Sequence, residues 1–144
     1  MKRFSAIATL FLFICLTGCK KDEDSIKRSD LLVANKWSVR QITDTQGRLI
    51  AKEKMGIQTL VLYELIFDFK ANKQVVASDR ITKQVKNGGT WELVDNETAI
   101  DVDIPGLKAR FGLVEISRSK MVLRNKIPVS GTETDANLEF EPVL

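Results

Sequence analysis

The sequence predicts an all-β protein in which about eight antiparallel strands run as a meander and close into a barrel, with a short N-terminal helical turn. Three observations predict it. From Trp37 onward, apolar and polar residues alternate with a period of two, the repeat of a strand with one buried face. The alternating segments are parted by turn pairs such as Asp95-Asn96 and Pro105-Gly106, too short to join anything but antiparallel neighbours. A meander of this many strands avoids exposed edges by closing on itself. A β-sandwich with Greek-key crossings is the alternative, and the scarcity of long connections counts against it.

The elements follow in order. Ser29 to Asn35 reads as one helical turn, with Ser29 or Asp30 as cap before Leu31-Leu32-Val33-Ala34. Trp37 to Ile42 is the first strand, followed by a polar turn at Asp44-Thr45-Gln46-Gly47. Residues 48–58 fit either a strand extension at Arg48-Leu49-Ile50 or a short helix ending near Gly56. From Leu60, the residues Val61, Tyr63, Leu65, Phe67 and Phe69 share one face of a strand, with Glu64, Asp68 and Lys70 on the other. Ala71-Asn72-Lys73 turns the chain into a strand over Gln74 to Lys86. Asn87-Gly88 offers the positive φ angles of a tight hairpin into Thr90 to Val94. Asp95-Asn96 leads into Thr98 to Ile104, Pro105-Gly106 into Leu107 to Ser117, and Arg118-Ser119 into Met121 to Ile127. A longer loop, Pro128 to Asp135, precedes a last strand near Asn137 to Glu141.

The first residues have a different character. Met1-Lys2-Arg3 is a positive start, and Phe4 to Leu16 is mostly apolar. About 13 residues of helix span roughly 20 Å, short of a hydrocarbon core of about 30 Å, and fit the apolar region of a signal peptide. The run ends in Leu16-Thr17-Gly18-Cys19, which resembles a bacterial lipobox. That resemblance implies cleavage between Gly18 and Cys19 and a lipid on Cys19, so that the membrane is a partner through the N-terminal lipid. Lys20-Lys21-Asp22-Glu23-Asp24 is too polar to pack and reads as a tether. Lys21-Asp22-Glu23 is similar to the lysine-plus-two-acids signal of Bacteroidetes-type lipoproteins. It implies an outer-membrane, lipid-anchored protein exposed at the cell surface, with a periplasm-facing lipoprotein as the alternative. The expected organisation is a signal peptide over 1–18, a lipidated cysteine and tether over 19–29, and one barrel domain over 30–144.

Composition narrows the chemistry. Of 144 residues, 22 are basic and 19 acidic. Loss of Lys2 and Arg3 with the signal leaves a nearly neutral protein, and the cations are scattered among acids, so nucleic acid is not an expected partner. Histidine is absent, which removes the usual general base near neutral pH and the commonest transition-metal ligand. The two cysteines are Cys15, inside the signal, and Cys19, whose sulfur a lipid would occupy; no thiol remains for a disulfide or a nucleophile. No glycine-rich phosphate loop, Gly-x-Ser-x-Gly elbow or metal-ligand cluster is present, so neither a cofactor nor a metal is expected.

The pattern Leu31…Asn35-Lys36-Trp37-Ser38-Val39, Leu65-Ile66-Phe67-Asp68-Phe69, Gly89-Thr90-Trp91-Glu92-Leu93 and Ile116…Met121-Val122-Leu123 resembles the lipocalin-like domains of many Bacteroidetes lipoproteins. It covers nearly all of residues 30–142. Narrow lipocalins carry Gly-x-Trp at the first strand, where this chain has Asn35-Lys36-Trp37; the Gly-x-Trp string occurs instead at Gly89-Thr90-Trp91. The resemblance implies a barrel that binds a small apolar ligand, or an extracellular glycan or peptide, and does not catalyse. An interaction module of an outer-membrane assembly, without a ligand cavity, is the alternative.

Six residues are candidates for the lining of such a cavity: Trp37, Tyr63, Leu65, Phe67, Trp91 and Phe111. Each has a structural reading too, because an eight-stranded barrel either fills its interior with side chains or holds one small ligand. The two tryptophans, burying about 150–250 Å² each, are expected mainly as core. Asp101 and Asp103 share one strand face, roughly 6.5–7 Å apart, a spacing compatible with a carboxylate pair or a hard-cation site. Their neighbours Ile100, Val102 and Ile104 point to the core, which puts both acids in solvent, and no catalytic residue is assigned.

Overall fold

Eight strands close into one antiparallel barrel in simple sequential order in the computed structural model, which describes residues 26–144. They are β1 (Lys36–Asp44), β2 (Leu65–Phe69), β3 (Gln74–Asp79), β4 (Val85–Val94), β5 (Ala99–Ile104), β6 (Leu107–Ile116), β7 (Met121–Val129) and β8 (Thr132–Pro142). β8 returns to β1, pairing from Trp37↔Pro142 to Asp44↔Ala136, so no strand is left as an edge. The barrel expected from short turns and period-two patterning is therefore the fold, and the sandwich is not. Gly18, Cys19 and the signal segment lie outside the described residues.

The ends of the barrel differ. Helix α1 (Arg28–Val33) covers one end, starting one residue before the expected turn and with Lys27, not Ser29 or Asp30, at its cap position. It is tied down by Trp37, whose indole N–H donates to the Leu32 carbonyl at 2.9 Å. The Arg28 guanidinium donates to the Glu97 carbonyl at 2.9 Å, and the Asn35 amide to the Arg118 carbonyl at 2.9 Å, so α1 is fastened to two turns of that end. The opposite end is the mouth, reached by the β3–β4, β5–β6 and β7–β8 turns. Between β1 and β2 the chain crosses it through helix α2 (Ile57–Val61) and the one-turn 3-10 helix Leu62–Glu64.

Three expectations are corrected. The strand expected from Leu60 starts only at Leu65; Leu60 and Val61 are helical, Tyr63 lies in the 3-10 turn, and Val61 is exposed. A run of four consecutive apolar residues, Leu60 to Tyr63, fits helix and strand equally, and the preceding Gly56 at the cap position starts a helix. Asn87-Gly88 is not a hairpin turn but lies within β4, where Ala77 pairs with Asn87 and Val76 with Gly88. The turn instead falls over residues 80–84, where the Asp79 carboxylate accepts the N–H groups of Ile81 (2.9 Å) and Thr82 (2.8 Å) and Lys83 takes φ +62°. The supposed loop Pro128 to Asp135 is mostly strand: β7 and β8 pair through Val129↔Thr132 across a two-residue turn, Ser130-Gly131, with both φ angles positive.

Gly89 marks a close approach of β4 and β5. A Cβ placed on it would stand 1.9 Å from the Asp103 carbonyl oxygen, so only glycine lets β4 and β5 approach there. Elsewhere the barrel parts. The β6–β7 ladder runs from Ile116↔Met121 only to Gly112↔Arg124. Leu107–Phe111 and Asn125–Val129 therefore do not pair with each other, which leaves a seam at the mouth.

Candidate functional site

Packing divides the interior into two halves. Towards α1, Trp37, Val39, Val75, Ile100, Met121 and Phe140 are buried and fill the space. Phe69 meets Trp91 edge-on at 5.9 Å between ring centres, and Phe67 meets Phe140 at 6.1 Å. The gap left among Phe69, Val102, Leu123, Phe140 and their neighbours is about 20 Å³, the room of a single water, and its walls are wholly apolar. Above it the barrel is open. A cavity of about 620 Å³ at the mouth has Leu62, Phe67, Phe111 and Leu138 at its base and Leu65, Ala77 and Leu107 on its sides. Its upper wall carries Asp79, Lys86, Asn87 and Asn125, and Thr59 and Val61 of α2 roof part of it.

Of the residues expected to line a cavity, the structure brings together Leu65, Phe67 and Phe111 and leaves out Trp37, Tyr63 and Trp91. Trp37 lies under α1, fully buried. Trp91 closes the same half: its indole N–H donates to the Lys70 carbonyl at 3.0 Å, and the Lys73 ammonium sits 4.3 Å from its ring centre. Tyr63 packs outside the cavity, with the Lys52 ammonium 4.1 Å from its ring centre. Burial pushes its phenol above the ordinary tyrosine range, partly offset by a hydrogen bond to the backbone of Ile42.

Sequence reading missed Leu62, Ala77, Leu107, Asn125 and Leu138. For Asn125 a signal existed: it stands two residues after Leu123 and two before Ile127, so the strand period turns it inward. Opposite it on β8 is the buried Ala136.

The acids Asp101 and Asp103 are on the outer surface and already partnered. Arg110 grips Asp101 with two nitrogens at 2.7 and 2.9 Å and holds its carboxyl below the usual carboxylate range. Lys108 lies 2.9 Å from Asp103. A depression of about 670 Å³ runs beside them between Lys73, Glu92 and Arg110, slightly larger than the mouth cavity. It is a solvated face of ion pairs, so apolar lining favours the mouth as the site. Among the described residues no group of three acids, histidines or cysteines could hold a metal, and no helix is long and apolar enough to cross a membrane.

No protein-family model matches this chain, and a search of curated proteins finds no match. The site therefore has to be read from its own geometry.

Proposed function

We propose that this protein is a lipid-anchored, lipocalin-like carrier or receptor of the outer membrane that holds a small, largely apolar ligand in the mouth of its barrel. One observation carries the reading: a cavity of about 620 Å³ whose base is built from Leu62, Phe67, Phe111 and Leu138, with a few polar groups at its edge. That size and that division of apolar walls and sparse polar groups are those of small-molecule sites. The lipobox-like Leu16-Thr17-Gly18-Cys19 supports anchoring through Cys19, and Lys21-Asp22-Glu23 supports display at the cell surface.

The test is saturable binding of a fluorescent apolar probe to the purified, unlipidated protein. One probe per barrel is expected. Ala77→Leu, which adds bulk to the cavity wall, should weaken binding at least about tenfold without unfolding the protein. A probe that binds without saturation, or equally well to Ala77→Leu, would count against the cavity.

A second reading has its own support. Ile57, Val61, Ile81 and Val85 are exposed around the mouth, Ile57 by 79% and Ile81 by 81%. In that reading the same end is an interaction surface of an outer-membrane assembly. Crosslinking from this rim to a partner in a barrel that takes no probe would favour it.

A further inference from the structure

The cavity is polar on one side of the seam where β6 and β7 part, and this gives the ligand a chemistry. We propose that the ligand is an amphiphile with an uncharged, hydrogen-bonding head group (an alcohol, ester or amide) held at Asn125, with its apolar part on Phe67, Phe111 and Leu138. This rests on the reading of the barrel as a binder.

Position is the first argument. Asn125 is the residue immediately past the last β6–β7 pair, Gly112↔Arg124, and faces inward between Leu123 and Ile127. It lines the cavity on the β7 side of the seam, with Phe111 of β6 also in the wall. The second argument is hydrogen-bond capacity. The Asn125 side-chain oxygen Oδ1 accepts the N–H of Lys126 at 2.8 Å, while its side-chain N–H₂ has no partner among the described residues. Asn87, the other amide in the wall, is satisfied: it donates to the Pro105 carbonyl at 2.9 Å and accepts from Gly88 at 3.0 Å. A donor in the cavity wall with no partner among the described residues is the group a bound head would complete.

Charge supplies the third argument. The charged side chains in the wall are Glu64, Asp79, Lys86 and Lys126, two of each sign, and Lys86 already faces Asp79 at 3.6 Å. An ionised head entering this ring meets no net attraction and still loses its hydration. A carboxylate head also meets Asp79, kept ionised by the N–H groups of Thr82 and Ile81. A neutral head loses far less on desolvation and gains the Asn125 donor.

The experiment is displacement of the apolar probe from the full chain by decan-1-ol, decanoate and decylammonium, at about pH 8 where the last two are ionised. The alcohol is expected to bind at least about tenfold more tightly than either ion. Asn125→Leu should weaken the alcohol about five- to tenfold relative to the headless probe, the loss of roughly one hydrogen bond. Asn125→Asp, which keeps the shape and replaces the donors by a negative charge, should gain affinity for decylammonium and bind decanoate still more weakly. Decanoate binding as tightly as the alcohol, or Asn125→Leu leaving the alcohol's affinity relative to the probe unchanged, would overturn the assignment. Failure of the probe itself to bind would instead remove the binding reading beneath it.

Discussion

Trp37 donates its indole N–H to the main-chain carbonyl of Leu32 at 2.9 Å, and both side chains are shielded completely from solvent. The bond spans only five residues, yet it joins the helix that covers the barrel to the first strand of its wall. A helix of six residues has no independent stability, so its position depends on such contacts. The closed end is therefore built around one tryptophan, and the difference between the two ends of the barrel begins there.

Trp37→Phe should then do more damage than the small change in volume implies, because it leaves the Leu32 carbonyl without its donor. A loss of about 2–3 kcal/mol is expected, and Trp37→Ala should lose about 3–5 kcal/mol. Urea unfolding followed through Trp91 fluorescence measures both, with the denaturant slope showing whether two-state behaviour survives. A change below about 0.5 kcal/mol for Trp37→Phe would show that α1 is held by its other contacts.

Gly88 and Gly89 are neighbours with opposite tolerance. A Cβ on Gly88 meets nothing closer than the Val75 carbonyl at 3.5 Å, an ordinary contact, whereas on Gly89 it collides with Asp103 main chain. Gly88→Ala should be nearly silent. Gly89→Ala should cost at least about 3 kcal/mol, because backbone must move and not a side chain. Paired thermal melts of the two variants decide it, and equal melting temperatures would contradict the close β4–β5 approach.

These two glycines also show where sequence reading stops. The fold class was legible because alternation and short turns are local, and they recur along the whole barrel. Asn87-Gly88 carries a strong local hairpin signal, but pairing of Val75, Val76 and Ala77 with Gly89, Gly88 and Asn87 keeps it in a strand. The real turn, after Asp79, depends on a carboxylate accepting two main-chain N–H groups, which many Asp residues do not do. Pro128 looked like a loop residue because it lacks an N–H. It is accommodated in β7 because its nitrogen faces away from β8, on the side where its carbonyl accepts the Gly56 N–H at 3.3 Å. For the site, Leu65 and Phe67 are legible from strand period alone, and Phe111 joins them in the cavity wall. Leu62 was missed because its segment is helical, and Trp37 and Trp91 do not line the cavity because they fill the other half of the interior.

Acid should loosen the mouth at Asp79. The N–H groups of Thr82 and Ile81 lower its pKa in the folded protein below the unfolded value of about 3.9. Its contribution is thus complete above that value and is lost as pH falls through the lower folded value. Asp79→Asn keeps an acceptor but does not titrate, so the stability gap between wild type and variant should narrow as pH drops below about 4. Denaturant melts at stepped pH measure the gap. A gap that stays constant to the acid limit would mean that this carboxylate is not specially stabilised in the fold.

The attachment point of the chain gives the last expectation. Arg28 begins α1 at the closed end, and the nine residues from Cys19 to Arg28 reach at most about 30 Å when extended. A lipid on Cys19 would hold the closed end near the bilayer and turn the mouth away from it, so ligand would arrive from the aqueous side. If Cys15 leaves with a signal and Cys19 carries a lipid, no free thiol competes for labelling, and fluorophores can be attached at Ser119→Cys, in the closed-end turn, or at Ile81→Cys, beside the mouth. Energy transfer to an acceptor in the bilayer should be stronger from position 119 than from position 81. Equal transfer, or stronger transfer from position 81, would mean that the barrel lies over or faces its own membrane. Cys19→Ala should abolish transfer from both positions together with labelling by a fatty-acid analogue; labelling that persists would place the anchor elsewhere.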